Sequence, residues 1–189
     1  MERNWDILII GGASGTGKTT VARALARYYQ VDLVRVDNFQ VLLEATTTPE
    51  TFPAIHYWTT HPNWRDEGIG NAVRRLIDAG QALSSGLAAV IEDHLLEDLP
   101  MILEGDFILP ELAASFEGEL RIRSIFIHEN DQKQILKNYL AREGEIQQFR
   151  ANVSHKHSEW LLKSCLEHDI QSIDARPWHT LPSRIINCI

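Results

Sequence analysis

A glycine-rich turn near the start of the chain has the composition and spacing of a phosphate-binding loop. The segment Gly12-Ala-Ser-Gly-Thr-Gly-Lys-Thr19 matches the Walker A pattern at each of its defined positions. Glycines let backbone N–H groups approach phosphate oxygens, and a helix that begins at the loop directs its positive end toward the anion. We expect Lys18 to reach the β- and γ-phosphates and the Thr19 hydroxyl to bind Mg²⁺. The pattern predicts that ATP is held by Gly12, Ala13, Ser14, Gly15, Thr16, Gly17, Lys18, Thr19 and Thr20.

Two carboxylates follow other apolar runs that are predicted to be strands. Asp37 follows residues 31–36, and Glu104 closes residues 101–103. Ligands gather at the carboxyl ends of parallel strands, so both side chains are expected near the phosphates. Asp37 either accepts the proton of an attacking hydroxyl, holds a water of Mg²⁺, or caps the next helix. We expect Glu104 to order Mg²⁺ through water, and Asp106 to share that task or to contact the acceptor.

Three arginines are candidates for neutralising phosphate charge. Arg142 precedes the polar segment 144–152 and Arg150 lies within it, and we expect this part of the chain to be a mobile lid. Arg142 is the candidate catalytic arginine, although both side chains could instead be solvated. Arg35 shares a strand face with Asp37 by the period-two rule. It could orient an anionic acceptor or pair with a surface acid.

The segment 46–64 contains Pro49, Pro53 and Pro62 and is predicted to be an irregular functional loop. Its aromatic residues could stack on a flat acceptor, or they could form a satellite hydrophobic cluster under the loop. The residues that we expect to bind the acceptor are Arg35, Asp37, Phe39, His56, Trp58, Arg65 and Asp106.

Alternating apolar and amphipathic segments must position these groups. Strands are predicted at 5–10, 31–36, 101–103, 120–127 and 170–173, and helices at 18–29, 39–45, 67–98, 110–116, 131–142 and 153–168. Gly80 and Gly86 are expected to bend or split the long helix. Alternation of this kind predicts an α/β fold with a parallel sheet and helices on both faces. We expect one domain, 1–189, with an acceptor-binding insertion at about 38–98 and a lid at about 142–153.

Composition restricts the partners. The 189 residues carry a net charge of −8 with histidine neutral, which disfavours nucleic acid as the main partner. No apolar run approaches the ~18 residues of a membrane span, and no signal peptide fits the N-terminal residues. Cys165 and Cys188 are spaced like neither a disulfide framework nor a metal site, and His155 and His157 do not share a helix face. We expect a cytoplasmic protein with reduced thiols and a small-molecule substrate. The oligomeric state is not specified by the sequence.

The sequence lacks the motifs that mark two other classes of nucleotide-binding protein. The Asn-Lys-x-Asp element of signalling GTPases is absent, and the strand at 101–103 is not closed by the Asp-Glu pair of AAA+ ATPases. These absences favour a small-molecule kinase. The pieces that carry a resemblance are Ile10 to Thr19, Val36-Asp-Asn-Phe39, Ile102-Leu-Glu-Gly105 with Pro110 beyond it, and Asp174-Ala-Arg-Pro177.

On these pieces the chain resembles the P-loop kinases of the adenylate kinase-like and uridine kinase-like group. That group contains uridine kinase, shikimate kinase and chloramphenicol phosphotransferase, and the chain looks most like the 2-phosphoglycerate kinase-like proteins. The resemblance implies a three-layer P-loop NTPase fold with strand order 2-3-1-4-5 and a small lid. It also implies that Asp37 is the base and that the loop with Arg176 and Pro177 packs on adenine. His128 is a departure, because the resemblance leads us to expect an acidic residue there.

The combined prediction is an ATP- and Mg²⁺-dependent phosphotransferase acting on a hydroxyl of a small metabolite. Two alternatives remain open. One is a nucleotide-binding regulatory module that hydrolyses ATP slowly, and the other is a kinase that acts on the end of a nucleic acid.

Overall fold

The computed structural model describes residues 3–189, so that Met1 and Glu2 of the predicted domain lie outside the described part. Two short 3-10 helices span Trp64–Glu67 and Trp178–Thr180. The other elements, in chain order, are β1 (Ile7–Gly11), α1 (Lys18–Tyr29), β2 (Asp32–Arg35), α2 (Val36–Thr46), α3 (Pro53–Thr60), α4 (Ile69–Leu96), β3 (Met101–Glu104), α5 (Pro110–Ala114), β4 (Ile122–His128), α6 (Gln132–Glu143), α7 (Gln148–Glu167), β5 (Ser172–Asp174) and α8 (Leu181–Ile186).

The five strands form one parallel sheet with the order β2-β3-β1-β4-β5. This order confirms the predicted topology. All five residues of the central strand β1 are buried, as expected for a strand covered on both faces. Ile7 and Ile9 pack in one core with residues of α4 and α7, whereas Leu8 and Ile10 pack in a second core with residues of α1 and α8. The period-two alternation of β1 therefore builds the three layers.

The strand β2 is shorter than predicted. It pairs with β3 only, and its last residue, Arg35, lies opposite Glu104, the last residue of β3. Helix α2 begins at Val36, which places Asp37 in the first helical turn. The expectation that Arg35 and Asp37 share a strand face was therefore wrong. An acidic residue in the first turn is favoured by the helix dipole, which helps to end the strand at this point.

Two segments that were predicted to be irregular contain helices. Residues 53–60 form α3, because a proline at the first helical position has no N–H to lose and already has a helical φ. Helix α7 begins at Gln148, so that only residues 144–147 separate it from α6. Helix α6 agrees with the prediction, since the carboxylate of Asp131 accepts a hydrogen bond from the Lys133 amide as an N-cap.

Helix α4 runs unbroken through both glycines that were expected to split it. Gly80 is buried, and a Cβ there would lie 2.8 Å from the Phe107 carbonyl oxygen and 2.8 Å from Leu109 Cγ. A Cβ at the exposed Gly86 would meet nothing within 4 Å. Gly80 therefore allows the segment after β3 to approach the helix. Within residues 3–189, no helix has the combination of length and apolar character needed to cross a membrane.

We predict opposite effects of adding a methyl group at these two glycines. Gly80→Ala should lower the free energy of unfolding by about 1–3 kcal/mol, because the Phe107 backbone must move. Gly86→Ala should raise it by up to about 1 kcal/mol, because alanine is the better helix former at an exposed position. Urea unfolding of both variants measures the difference. Equal effects would mean that the close packing at Gly80 does not constrain the helix.

Candidate functional site

The loop between β1 and α1 has a backbone that only glycines accommodate without strain. Gly12, Gly15 and Gly17 have φ angles of 137°, 82° and 92°. A Cβ at Gly12 would lie 2.3 Å from the Ile127 carbonyl oxygen. Helix α1 begins at Lys18, directly after Gly17, so the unpaired N–H groups of its first turn face the loop. The loop therefore has the backbone that an anion-binding turn requires.

Lys18 lies inside this loop. Its side chain is only 6% exposed, and Nζ donates to the Ala13 carbonyl oxygen over 2.9 Å. The Thr16 hydroxyl donates to the same oxygen over 2.9 Å. Two of the predicted nucleotide-binding residues therefore form hydrogen bonds inside the loop: the Ala13 carbonyl oxygen accepts, and the Thr16 hydroxyl donates. A largely buried ammonium beside several backbone N–H groups is a strong attractor for phosphate.

A chain of contacts leads from the loop to both predicted carboxylates. The Thr19 hydroxyl donates to Glu104 Oε1 over 3.0 Å, and Arg35 Nε donates to the same oxygen over 3.3 Å. The other end of the Arg35 guanidinium, Nη2, pairs with Asp37 Oδ2. Glu104 is buried, whereas Asp37 is partly exposed. The sheet edge thus brings together the hard oxygen donors that Mg²⁺ prefers.

A cleft of about 1010 Å³ opens above these groups. Most of the predicted catalytic and phosphate-binding side chains line it. The predicted residues that line the cleft are Ser14, Gly15, Gly17, Lys18, Thr19, Thr20, Arg35, Asp37, Glu104, Asp106, Arg142 and Arg150.

Arg142 of α6 and Arg150 of α7 are held as a pair. Arg142 Nη2 and Arg150 Nη1 each bond to a different oxygen of Glu143 over 2.7 Å. Both guanidinium groups also lie over the ring of Tyr139, at 4.9 and 4.7 Å from its centroid. Burial raises the pKa of Glu143, but the bond to Arg142 and the charge of Arg150 outweigh it and lower the pKa below its usual value. Glu143 therefore stays ionised and keeps both cations beside the cleft.

Several predicted acceptor residues are not among those that line the cleft. The buried His56 is hydrogen-bonded to the Thr47 hydroxyl over 3.0 Å, and Trp58 packs on Phe107 with ring centroids 6.0 Å apart. Arg65 lies over the Trp64 ring at 5.2 Å. Phe39 packs against the core. His56 and Trp58 lie on α3, and its helical geometry directs them toward these packing partners rather than toward the cleft.

Arg176 was expected to stack on adenine, but its guanidinium is held by two carboxylates. Arg176 Nη2 lies 2.9 Å from Glu129 Oε1, and Nη1 lies 3.7 Å from Asp131 Oδ2. Neither Arg176 nor Pro177 is among the residues that line the cleft; the residues just after them, Trp178, Leu181 and Pro182, are. His128, the departure noted in the sequence, lies 3.2 Å from Asp174.

Sequence reasoning missed further cleft residues: Arg23, Gln40, Phe107, Asn138 and Trp178. Asn138 Nδ2 donates to the Gly15 carbonyl oxygen over 2.7 Å and so ties α6 to the loop. A usable signal was present, because Asn138 precedes Arg142 by four residues and shares its helix face.

His157 is a buried residue for which the sequence analysis predicted no role. It is 1% exposed, and its ring lies 6.3 Å from that of Trp160. Its Nε2 has no hydrogen-bond partner within residues 3–189. Burial lowers the pKa of His157 to about 4. Smaller effects come from the charge of Asp106, which raises this pKa, and from that of Lys18, which lowers it. The described residues include no group of three or more His, Cys, Asp or Glu side chains that could hold a metal ion.

We predict that His157 makes folding stability depend on pH. Its pKa is lower in the folded chain than in the unfolded chain, so the unfolded state binds the extra proton between about pH 6.5 and pH 4. Stability should therefore fall by about 2 kcal/mol between pH 7 and pH 5. Urea unfolding at both pH values measures this. His157→Gln should remove most of the dependence and the exposed-site control His179→Gln should not; equal slopes in all three proteins would contradict the assignment.

Comparisons with known proteins agree with this geometry. The model of the ATPase family associated with various cellular activities (AAA) matches residues 8–91. That match includes β1, the loop and α1, and it ends before β3, where the chain lacks the Asp-Glu pair of AAA+ ATPases. The family match therefore concerns the nucleotide-binding half of the chain.

The sequence relatives are kinases. A 2-phosphoglycerate kinase from Pyrococcus horikoshii is 32% identical over 127 residues, which are 64% of this chain and 41% of that protein. A mevalonate-3-phosphate 5-kinase from Thermoplasma acidophilum is 24% identical over 110 residues, 58% of this chain and 54% of that protein. The chain thus spans about half or less of the length of these relatives.

A solved structure extends the likeness to the whole chain. The sugar kinase from Janibacter sp. HTCC2649 superposes with a TM-score of 0.58 at 19% identity, covering 97% of this chain and 93% of that one. At this identity the likeness concerns the fold alone. The chain therefore has a P-loop and a parallel sheet of order β2-β3-β1-β4-β5, with a fold similar to that of the solved sugar kinase, and over 64% of its length it is similar in sequence to a 2-phosphoglycerate kinase.

Proposed function

We propose that the chain is an ATP-dependent kinase that transfers a phosphoryl group to a hydroxyl of a small metabolite. One observation carries the proposal: a single cleft contains a phosphate-binding loop, a candidate base and two paired arginines. A protein that only binds nucleotide needs the loop, whereas transfer of a phosphoryl group to a hydroxyl also needs a base and cations near the transferring group.

The donor half of the cleft is built for a triphosphate. The backbone N–H groups of the loop and the Lys18 ammonium would hold the β- and γ-phosphates. Thr19 and Glu104 fit Mg²⁺, because their oxygens lie 3.0 Å apart beside the loop and both are hard ligands. When bound, Mg²⁺ neutralises charge on the phosphate oxygens and orients them for in-line transfer.

The acceptor half supplies a base and charge stabilisation. The Asp37 carboxylate would accept the proton of the acceptor hydroxyl as that oxygen bonds to the γ-phosphorus and ADP leaves with the electrons of the broken bond. Arg142 and Arg150 would stabilise the charge on the transferring group. Such a site accelerates the reaction by positioning and preorganised electrostatics, since its charged groups are already in place.

The nucleobase would lie at the opposite end of the cleft. Trp178 lines the cleft, as do Thr20 and Pro182. We propose that Trp178, rather than Arg176, is the stacking residue, because the Arg176 guanidinium is held by Glu129. Stacking alone does not distinguish adenine from guanine.

For the acceptor, we propose a small hydroxylated acid. The sequence relatives are named for 2-phosphoglycerate and mevalonate 3-phosphate. Asp106 and Gln40 line the wall of the cleft along with Asp37, so a polar acceptor fits better than an apolar one. We place this reaction in the cytoplasm, where ATP is available and the two free thiols stay reduced.

The test is Mg²⁺-dependent ADP release with a panel of acceptors. The panel begins with 2-phosphoglycerate and mevalonate 3-phosphate and includes neutral polyols and unphosphorylated hydroxy acids. We expect at least one to raise ADP release well above the rate without acceptor, and the phosphorylated product to be detected by mass spectrometry. A flat panel would contradict the kinase and favour a regulatory module with slow hydrolysis. Tight, salt-sensitive oligonucleotide binding would instead favour a nucleic acid acceptor.

A further inference from the structure

One arginine connects the two carboxylates of the cleft. Arg35 is the last residue of β2 and lies opposite Glu104, the last residue of β3, in the parallel register. Its Nε donates to Glu104 Oε1 over 3.3 Å, and its Nη2 pairs with Asp37 Oδ2 in the first turn of α2. A single guanidinium thus spans from the candidate metal-shell carboxylate to the candidate base.

The burial of Glu104 explains why a cation is needed at this point. Its side chain is 3% exposed, and a carboxylate removed from water requires hydrogen bonds and a counter-charge. In the part of the chain that the structure describes, Arg35 is the cationic side chain that pairs with Glu104. The second donor to the same oxygen is the Thr19 hydroxyl.

Arg35 differs from Thr19 in that its guanidinium contacts both carboxylates. If the Thr19 oxygen binds Mg²⁺ through a lone pair, as the proposed function requires, the hydroxyl proton can still be donated to Glu104. The Arg35 Nε donates to the same Glu104 oxygen. The same guanidinium also fixes Asp37, so that both carboxylates keep one relative placement.

We propose that Arg35 is a positioning residue that sets Glu104 and Asp37 relative to each other and so aligns the metal shell with the base. This inference rests on the proposed function. It replaces the expectation that Arg35 binds an anionic acceptor, because its donors are directed at two carboxylates of the chain. Arginine suits this task since its rigid, planar fork donates in two directions, whereas a lysine ammonium is a single point charge.

A double-mutant cycle separates the two roles of Arg35. We expect Arg35→Gln to lower kcat about 10- to 100-fold, with the acceptor KM changed less than about 3-fold. Residues that act as a unit are not additive, so Arg35→Gln combined with Asp37→Asn should be about as slow as Asp37→Asn alone. Additive losses, or a raised acceptor KM with unchanged kcat, would overturn the inference in favour of direct contact with the acceptor.

Two further variants control for charge and folding. Arg35→Lys keeps the positive charge but loses the fork. Compared with Arg35→Gln, we expect it to recover more of the free energy of unfolding than of kcat. If lysine restored kcat, the positive charge alone would be sufficient. That result would contradict the inference that Arg35 positions the two carboxylates through its fork. Arg27→Gln, on an exposed face of α1, makes the same chemical change away from the cleft and should leave the rates unchanged.

A measurement without substrate distinguishes failure of the inference from failure of the proposed function. Urea unfolding of Arg35→Gln, Glu104→Gln and the double variant gives the coupling of the pair in the folded chain. We expect clear coupling, because loss of Arg35 leaves a buried carboxylate without its counter-charge. If no acceptor in the panel is phosphorylated, the proposed function fails, and this unfolding cycle alone decides whether Arg35 holds Glu104. Absence of coupling would overturn the inference.

Discussion

Replacing Lys18 with alanine is expected to lower kcat/KM for ATP by at least about 10³-fold. Lys18 is only 6% exposed as a residue, and its ammonium lies against the glycine loop, where we propose that its charge acts at close range on the β- and γ-phosphates. The variant removes this cation and leaves the backbone cradle intact. Both ATP affinity and phosphoryl transfer should therefore fall. Initial rates of ADP release with and without acceptor, together with ATP titration, measure the two effects.

The fold should tolerate this change. The structure shows one hydrogen bond of Lys18 Nζ, to the Ala13 carbonyl oxygen, so its removal loses little native interaction. Urea unfolding of Lys18→Ala should stay close to that of the wild type. Lys163→Ala is the matched control, because this lysine is exposed on α7, where it forms a surface ion pair with Glu167. Turnover of Lys18→Ala within about 3-fold of the control would contradict the role of the loop in catalysis.

The features that the sequence predicted correctly are encoded locally. The glycine spacing of the loop, the apolar run of β1 and the start of α1 at Lys18 lie within about twenty consecutive residues. Their conformations follow from backbone sterics and from hydrophobic periodicity, both of which can be read from neighbours along the chain. The strand order came from the resemblance to P-loop kinases, and the structure confirmed it.

The features that were missed depend on contacts between distant segments. Whether Asp37 ends a strand or begins a helix depends on where β3 stops, because β2 loses its pairing partner after Glu104. The bond between Arg176 and Glu129 joins residues 47 positions apart, and no local pattern indicates it. The same holds for the burial of His157, since α7 has a weakly amphipathic sequence whose buried face is set by packing on α4, α6 and β4.

The proline-containing segment shows how a correct observation can support a wrong element. Pro53 disfavours helix for the residue before it, but it is well suited to the first helical position itself. Reading the three prolines as evidence for a loop therefore overlooked the helix between two of them. The consequence for the site is direct, because a helix has one buried face and packs His56 and Tyr57 away from solvent.

Replacing Asp37 with asparagine is expected to lower kcat about 10²- to 10⁴-fold while leaving ATP affinity within about 3-fold of the wild type. Asparagine has nearly the same shape but cannot accept the hydroxyl proton. It also loses the charge that pairs with Arg35, although it can still accept a hydrogen bond from the guanidinium. Because we propose that Asp37 belongs to the acceptor half of the cleft, the donor half should stay intact. The measurement is kcat with the best acceptor of the panel, beside ATP binding by calorimetry.

The matched control for this prediction is Asp32→Asn, which makes the same change at the exposed first residue of β2, at the opposite end of the strand. It should leave kcat and ATP affinity unchanged. An equal fall in kcat in both variants would point to a general effect on β2 rather than loss of a base.

If Asp37→Asn instead retained full kcat but needed more Mg²⁺, the carboxylate would act on the metal shell and another group would have to take the proton. If ATP affinity fell together with kcat, Asp37 would belong to the donor half. Only loss of kcat at unchanged ATP affinity and unchanged Mg²⁺ requirement agrees with Asp37 as the base, because the proton leaves the acceptor only as the new bond to phosphorus forms.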